Sequence, residues 1–468
     1  MSISNKNKLY IKIGFCIYAA ITVLVVVYVS AVFHWKGIDG LKIILVEGPN
    51  SKIRLTMFSV GMSWLLLGSI LILLSQRIVN KSNFVAFVAF YLYSFIYLNF
   101  LRERTQYGDV GDYINAAFNL YRGEPFHYRY LYPPFWATLL QPLVPFGRYA
   151  VFIFCYIGNY FSILLFFALI YQVLKRYGFP KNFAALATFC ILCVNVPILR
   201  NMCYIQVNIH VTNLIILSLL FYRKNIMLSA LALSLAVHMK VSPIILILPF
   251  VFNRDWKFLI YFCAISVGII VFTSLMNGFE YYPNFLSNVS DIYRANGINF
   301  RDNSIDSFIR SAFLFLNIDL NKAKYLILFF KATLLFVSLV ILFQSVKKKI
   351  YYDGETKEGV IYNSYIVLLF PMVMLSPVVW VHHFVFIIYP FLIILKKIST
   401  VESLILYLLA YILIFLIPTF DFYPFSYNRL FGFILCYALL FSALRSTVNN
   451  FLWFKKINKK FEIVFERS

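Results

Sequence analysis

The chain has 468 residues, 62% of them hydrophobic and 13% charged, with a mean hydropathy of +0.79. These proportions lie far from those of a soluble protein and identify a polytopic membrane protein with one embedded domain over 1–468. The formal net charge of +23 does not point to nucleic acid, because the basic residues form short clusters between apolar runs and no continuous basic face.

The clusters begin with Lys6, Lys8 and Lys12, and continue with Arg77 and Lys81, then Lys175, Arg176 and Lys181, then Arg223 and Lys224. Lys347 to Lys349, Lys396 and Lys397, and Lys455 to Lys460 complete the series. They recur at every second loop, as the positive-inside rule expects of cytoplasmic loops. The apolar runs between them predict spans at 13–33, 56–75, 84–101, 150–173, 183–199, 209–222 and 226–238. Further spans are predicted at 243–252, 258–276, 323–345, 360–379, 383–395, 403–418 and 429–444. The even count puts both termini inside. Runs flanking Lys240 and His383 are shorter than the ~20 residues of a perpendicular crossing, which predicts broken or re-entrant segments and a total of about 12–14 spans. The run from Ile13 to Phe33 is too long for a signal-peptide core and reads as an anchor.

Three spans precede Arg102, so the polar segment 102–148 falls on the outer face. It carries Asp109 and Asp112, whose three-residue spacing puts both carboxylates on one face of a helix. Ala116, Ala117 and Leu120 favour that helix, and the stretch from Asp109 to Pro134 predicts two short interfacial helices joined at Gly123-Glu124-Pro125. Tyr128, Tyr130 and Tyr132 suit the boundary between lipid and water. A second large outer loop spans 277–322, where Asp291, Asp302 and Asp306 with Arg294 and Arg301 read as a solvated face.

Seven cysteines lie in or beside apolar segments, and the Cys190, Cys193 pair has no second pair or nearby histidine to complete a zinc site. They read as packing residues. The chain contains no phosphate-binding glycine loop of the nucleotide-dependent enzymes. His238 reads as a packing or interface histidine, and Lys240, between two short apolar runs, needs an anionic partner or a wet cavity.

Asp109-x-x-x-Tyr113-x-x-Ala116-Ala117, followed by Gly123 and Tyr132-Pro133-Pro134-Phe135, resembles the first large outer loop of the GT-C membrane glycosyltransferases that use polyprenyl-phosphate sugars. The branch it resembles is glycosyltransferase family 87, which contains mycobacterial mannosyltransferases. Four further segments follow in that family's order. Gln206-Val207-Asn208 resembles its Gly-Gln-x-Asn motif, Lys240-Val241-Ser242-Pro243 its Lys-x-Thr-Pro, and Asn303-Ser304 with Arg310 its Asn-x-Ser loop. Ser376-Pro377 with Trp380-x-His382-His383 resembles its Ser-Pro-x-x-Trp-Asp-His-His. Ile205 stands where the motif has glycine, Ser242 where it has threonine, and Val381 where it has an acid. The family's acidic loop follows the first span, whereas three spans precede it here, an insertion of two crossings that preserves sidedness.

The resemblance implies an all-α helical bundle of the GT-C type and an inverting transfer of a hexose, mannose by analogy, from polyprenyl phosphate to a hydroxyl of an envelope glycan or glycolipid. It implies Asp109 as general base with Asp112 as its alternate, and a phosphate site drawn from Lys240, Arg200, Arg310, His382 and His383. It implies Tyr113, Tyr132, Gln206, Asn208, Asn303 and Trp380 as sugar or acceptor contacts. The partners are then the bilayer, the lipid-linked donor and the acceptor, with no metal and no cofactor. A transporter or flippase of lipid-linked sugars also has many spans and intramembrane charges, but here the acids concentrate in an outer loop and the two halves show no internal repeat. A non-catalytic envelope scaffold is the third reading, and it makes Asp109 dispensable.

Overall fold

The computed structural model describes residues 109–193, 195–222, 224–294, 302–347, 357–398, 400–417 and 423–446, together with 20, 23, 27, 31 and 34. Of the first predicted span only residues 20, 23, 27 and 31 are described, all helical, and the second and third lie outside the described residues, as do the side chains of Cys190 and Cys193. Every regular element among the described residues is helical. The chain divides into two compact units, one of 106–177 with 196–446, the other of 1–105, 178–195 and 447–468. In the second of these the described part is essentially one helix, Lys181–Cys193.

The larger unit opens with α1 (Val110–Arg122), α2 (Pro134–Leu140) and α3 (Arg148–Arg176). With α4 assigned to Lys181–Cys193, it resumes at α5 (Val196–Tyr204), α6 (Asn208–Tyr222) and α7 (Ile226–Met239). A 3-10 segment, Ser242–Ile247, leads into α8 (Leu248–Phe252), followed by α9 (Trp256–Asn277), α10 (Tyr281–Arg294), α11 (Ile305–Phe315) and α12 (Leu320–Lys347). Next come α13 (Lys357–Met374), a 3-10 segment over Val381–Ile387 and α14 (Ile388–Ile394). Last are α15 (Val401–Tyr411), continued by a π-turn over Ile412–Leu416, and α16 (Asn428–Ser446).

Three described helices, Arg148–Arg176, Trp256–Asn277 and Leu320–Phe343, are long and apolar enough to cross a bilayer, and seven shorter apolar helices accompany them. Alpha9 leaves Ile260, Val267, Val271 and Leu275 exposed along its length. Such a face is costly in water and at home in hydrocarbon. Alpha6, by contrast, is enclosed on nearly every side and packs against α7 and α3. Polar side chains join it to its neighbours: Asn213 Nδ2 of α6 donates to the Ser162 carbonyl of α3 at 2.7 Å, and Ser229 Oγ of α7 donates to the Ser218 carbonyl of α6 at 2.6 Å. Bonds of this kind between helices contribute roughly 0.6–2 kcal/mol each where no water competes.

The predicted short runs around Lys240 are two helices with a break. Alpha7 ends at Met239 because Lys240 is extended, at φ −157° and ψ 125°, and Pro243 stands in the first turn of the 3-10 segment Ser242–Ile247, where its missing N–H leaves no helical bond unmade. The predicted run 183–199 is likewise two helices, α4 and α5. The outer loop departs further from expectation. A single helix, α1, occupies its first half, and 124–133 is irregular until Pro134 starts α2, because Pro125 and the Pro133-Pro134 step oppose a second helix between them. Of the boundary tyrosines Tyr128 is exposed and Tyr132 half-buried, but Tyr130 is 1% exposed and donates its hydroxyl to the Pro133 carbonyl at 3.3 Å.

The acids before α12 also differ from expectation. Asp291 is exposed, whereas Asp302 and Asp306 are buried. Asp306 pairs with Lys331, a cation within the apolar α12, which accounts for its burial. Asp302 is buried because its carboxylate is bonded to backbone on both sides of a chain junction, described below.

Candidate active site

Alpha1 is stopped by Gly123, whose φ of 71° lies in the left-handed region, with its N–H bonded to the Leu120 carbonyl and the Glu124 N–H to that of Asn119. Its inner face buries Val110, Tyr113, Ala116, Ala117 and Leu120. On its outer side Asn115 accepts from the Arg148 guanidinium, which also stacks over the Phe118 ring. Asp109 holds the N-cap position. An aspartate there ordinarily accepts an N–H of its own first turn. Asp109 makes no such bond, and its Oδ2 instead accepts from Gln206 Nε2.

Gln206 joins three residues of the outer loop. Its Oε1 accepts from the Tyr113 hydroxyl at 3.0 Å and from the Tyr132 hydroxyl at 3.1 Å. The two rings meet edge to face at 5.1 Å, and Tyr113 meets Trp136 edge to face at 6.3 Å. Burial and the neighbouring Asp109 carboxylate hold both phenols well above their ordinary pKa, so both stay protonated and able to donate. Asp112 is half-buried, and its pKa is raised by burial against the opposing pull of Arg129 and His127. Both acids act electrostatically on Tyr132, consistent with the shared helix face.

Gln206 stands at a sharp turn. Its N–H bonds to the Asn201 carbonyl at 3.0 Å, and Ile205 adopts a φ of 52°. A β-branched residue with this backbone is strained, by about 1–3 kcal/mol, at the position where the motif carries glycine. Two residues on, Asn208 opens α6 and accepts from Lys240 Nζ at 2.7 Å. The Lys240 ammonium also lies 5.5 Å from the centroid of the Phe386 ring and within the field of the Asp109 carboxylate. A carboxylate and an ammonium therefore flank the turn that carries Gln206 and Asn208.

His382 and His383 occupy the 3-10 segment after Trp380, with ring centroids 4.6 Å apart and both within the field of Lys240. Arg200 also acts on His382, whose ring lies 6.2 Å from that of Tyr204. Asn201 Nδ2 donates to the His382 carbonyl at 2.8 Å, tying α5 to this segment. The Trp380 N–H donates to His383 Nδ1 at 3.1 Å, so the neutral ring carries its proton on Nε2 and offers that N–H as a donor. Val381, in place of the motif's acid, is buried.

Asp302 and Asn303 hold the other side of this segment. Asp302 Oδ1 accepts from the Val379 N–H at 2.7 Å and the Ser304 N–H at 2.9 Å, and Oδ2 accepts from Ser304 Oγ at 3.0 Å. The Asn303 N–H donates to the Val379 carbonyl at 2.8 Å. Burial pushes the Asp302 pKa up to about 6 despite these bonds. Arg310 is half-buried on α11, the helix that Ser304 caps.

The irregular stretch 124–133 is held by α10. Asn284 Oδ1 accepts from the Phe126 N–H at 2.7 Å, and Asn288 Nδ2 donates to the carbonyls of His127 and Tyr130 at 3.0 and 3.4 Å. Neither asparagine stands out alone in the sequence, but their four-residue spacing places both on one face of a helix. Among the described residues no group of three or more His, Cys, Asp or Glu side chains is arranged to hold a metal ion.

The structure thus connects Asp109, Tyr113, Tyr132 and Gln206 by hydrogen bonds, with Asp112 acting on Tyr132, and links Asn208, Lys240, His382, His383 and Arg200 by a hydrogen bond and electrostatic proximity. No match was found among curated proteins. The model of glycosyltransferase family 87 matches residues 130–377, more than half of the chain. Asp109, Asp112 and Tyr113 precede the matched segment, and Trp380, His382 and His383 follow it. With an all-helical fold whose long helices suit a bilayer, the chain belongs to glycosyltransferase family 87 and is a membrane glycosyltransferase.

Proposed function

We propose that the protein transfers a hexose, mannose in the first instance, from a polyprenyl-phosphate donor to a hydroxyl of an envelope glycan or glycolipid. The reaction takes place at the outer face of the plasma membrane, with both termini in the cytoplasm. One observation carries the reading: the Asp109 carboxylate makes no cap bond to its own helix, is bonded instead by Gln206, and stands in the field of the Lys240 ammonium. A base for the incoming hydroxyl and a cation for the departing phosphate are what displacement at an anomeric carbon needs.

In this scheme Asp109 accepts the proton of the acceptor hydroxyl as its oxygen bonds to the anomeric carbon. The carbon–oxygen bond to the lipid phosphate breaks, and the phosphate leaves with its electron pair. Direct displacement inverts the anomeric centre, so a β-linked donor yields an α-linked product. The leaving phosphate is received by Lys240 with His383 Nε2–H and Arg200. Asp112 orients the acceptor or substitutes as base, and no step calls for a metal or cofactor.

The test uses the full chain purified into vesicles with labelled polyprenyl-phosphate mannose and candidate acceptors. The proposal expects a new glycosidic bond and its loss in the Asp109→Asn variant. Movement of labelled lipid across the bilayer without any such bond identifies a flippase instead.

A further inference from the structure

We infer that Gln206 and Tyr113 are positioning residues that act through Asp109, holding its carboxylate in one orientation, while Tyr132 completes the clamp from the open side. The inference rests on the proposed role of Asp109 as base and assigns these residues a task other than sugar binding.

Proton accounting fixes the arrangement. An ionised carboxylate only accepts hydrogen bonds, a phenol has one proton, and a primary amide has one oxygen and one NH2 group. The Asp109 carboxylate therefore requires the NH2 side of Gln206, which leaves Oε1 to the phenols, and both phenols must donate. Rotating the amide by half a turn sets Oε1 against Asp109 Oδ2, two acceptors in contact. The two phenol protons thus hold the amide so that its N–H aims at the carboxylate. The same donation leaves each phenol oxygen able only to accept from any other partner.

Exposure separates a clamp from a ligand contact. Tyr113 is 0% exposed and Gln206 1% exposed, whereas Asp109 is half-buried and open to a reactant. Tyr113 is enclosed further by its edge contacts with Tyr132 and Trp136, and Gln206 is anchored through its backbone at the strained Ile205 turn. Among the described residues, the charged and titratable groups acting on this unit include Lys240 from the end of α7, Tyr113 and Asp112 from α1, and Tyr132 from the loop before α2.

The experiment measures steady-state sugar transfer by the full chain in vesicles for Tyr113→Phe, Tyr132→Phe, the double variant and Gln206→Glu. Each single phenylalanine leaves one phenol holding the amide, so kcat falls by about threefold or less. The double variant frees the amide to rotate, and kcat falls by about tenfold or more while KM for donor and acceptor stays unchanged. In Gln206→Glu a second acceptor-only group meets Asp109, so the acid limb of the kcat–pH profile moves to higher pH. A double variant with raised KM and unchanged kcat, or a Gln206→Glu profile that does not move, overturns the clamp. Retention of transfer by Asp109→Asn overturns instead the reading on which the clamp rests, so the two failures are told apart.

Discussion

Replacing Asp302 separates two contributions that the structure sets against each other. The folded pKa of about 6 lies above the ordinary 3.8, so the folded state binds the proton more tightly and stability from this group declines as pH rises from about 4 to about 6. Above pH 6 the gap between 3.8 and about 6 is fully expressed as a cost of about 3 kcal/mol for keeping the charge buried. Asp302→Asn removes that cost and retains an oxygen for the Val379 and Ser304 N–H groups, while its NH2 can donate to Ser304 Oγ. Asp302→Ala removes the charge as well, but strands two buried N–H groups and the buried Ser304 hydroxyl at about 1–3 kcal/mol each, a loss of about 3–9 kcal/mol that offsets or exceeds the relief. Thermal unfolding in detergent at pH 7.5 and pH 5, followed by tryptophan fluorescence, reads the outcome. The expected order at pH 7.5 is Asn above wild type and wild type at or above Ala, with the Asn variant losing part of the wild-type pH slope. An Asn variant as unstable as the Ala variant refutes the reasoning, since it shows that the charge and not the acceptor geometry joins residues 302–304 to Val379.

The pairing of Asp306 with Lys331 gives a second prediction: Lys331→Met alone leaves a buried carboxylate unpaired and costs about 3–5 kcal/mol, whereas Lys331→Met with Asp306→Asn recovers most of the loss in the same unfolding measurement. At α10, Asn288→Ala removes the donor to the His127 and Tyr130 carbonyls at a cost of about 0.5–1.5 kcal/mol. Amide hydrogen exchange over 124–133 is expected to accelerate by about tenfold or less, with global melting nearly unchanged.

The helices were legible in the sequence because a bilayer demands long apolar runs closed by polar or basic ends. The predicted runs 150–173, 209–222, 258–276 and 323–345 correspond to α3, α6, α9 and α12 within a few residues at most ends. Lys240 was expected to need an anionic partner or a wet cavity; its hydrogen-bond partner is instead the neutral amide oxygen of Asn208, with the Asp109 carboxylate acting on it electrostatically. Long-range partners were not legible. Gln206 at a helix boundary looks like any capping residue until residues 97, 93 and 74 positions earlier in the chain are brought to it. Asp302 read as solvated because its partner is the backbone of Val379, and a backbone N–H has no sequence signature. The loop 124–133 read as part of a helix pair because propensity registers Ala116 and Leu120 but not the hold of Asn284 and Asn288 from α10.

The most direct test of the central claim is the turnover of Asp109→Asn in vesicles, with donor affinity measured on the same preparation. Asparagine keeps the shape but cannot accept a proton at this stage of the reaction. Asp109 as the base therefore predicts a kcat reduced by roughly 10²–10⁴ with donor affinity unchanged. Turnover within about threefold of wild type contradicts it and returns the base to Asp112 or to another group.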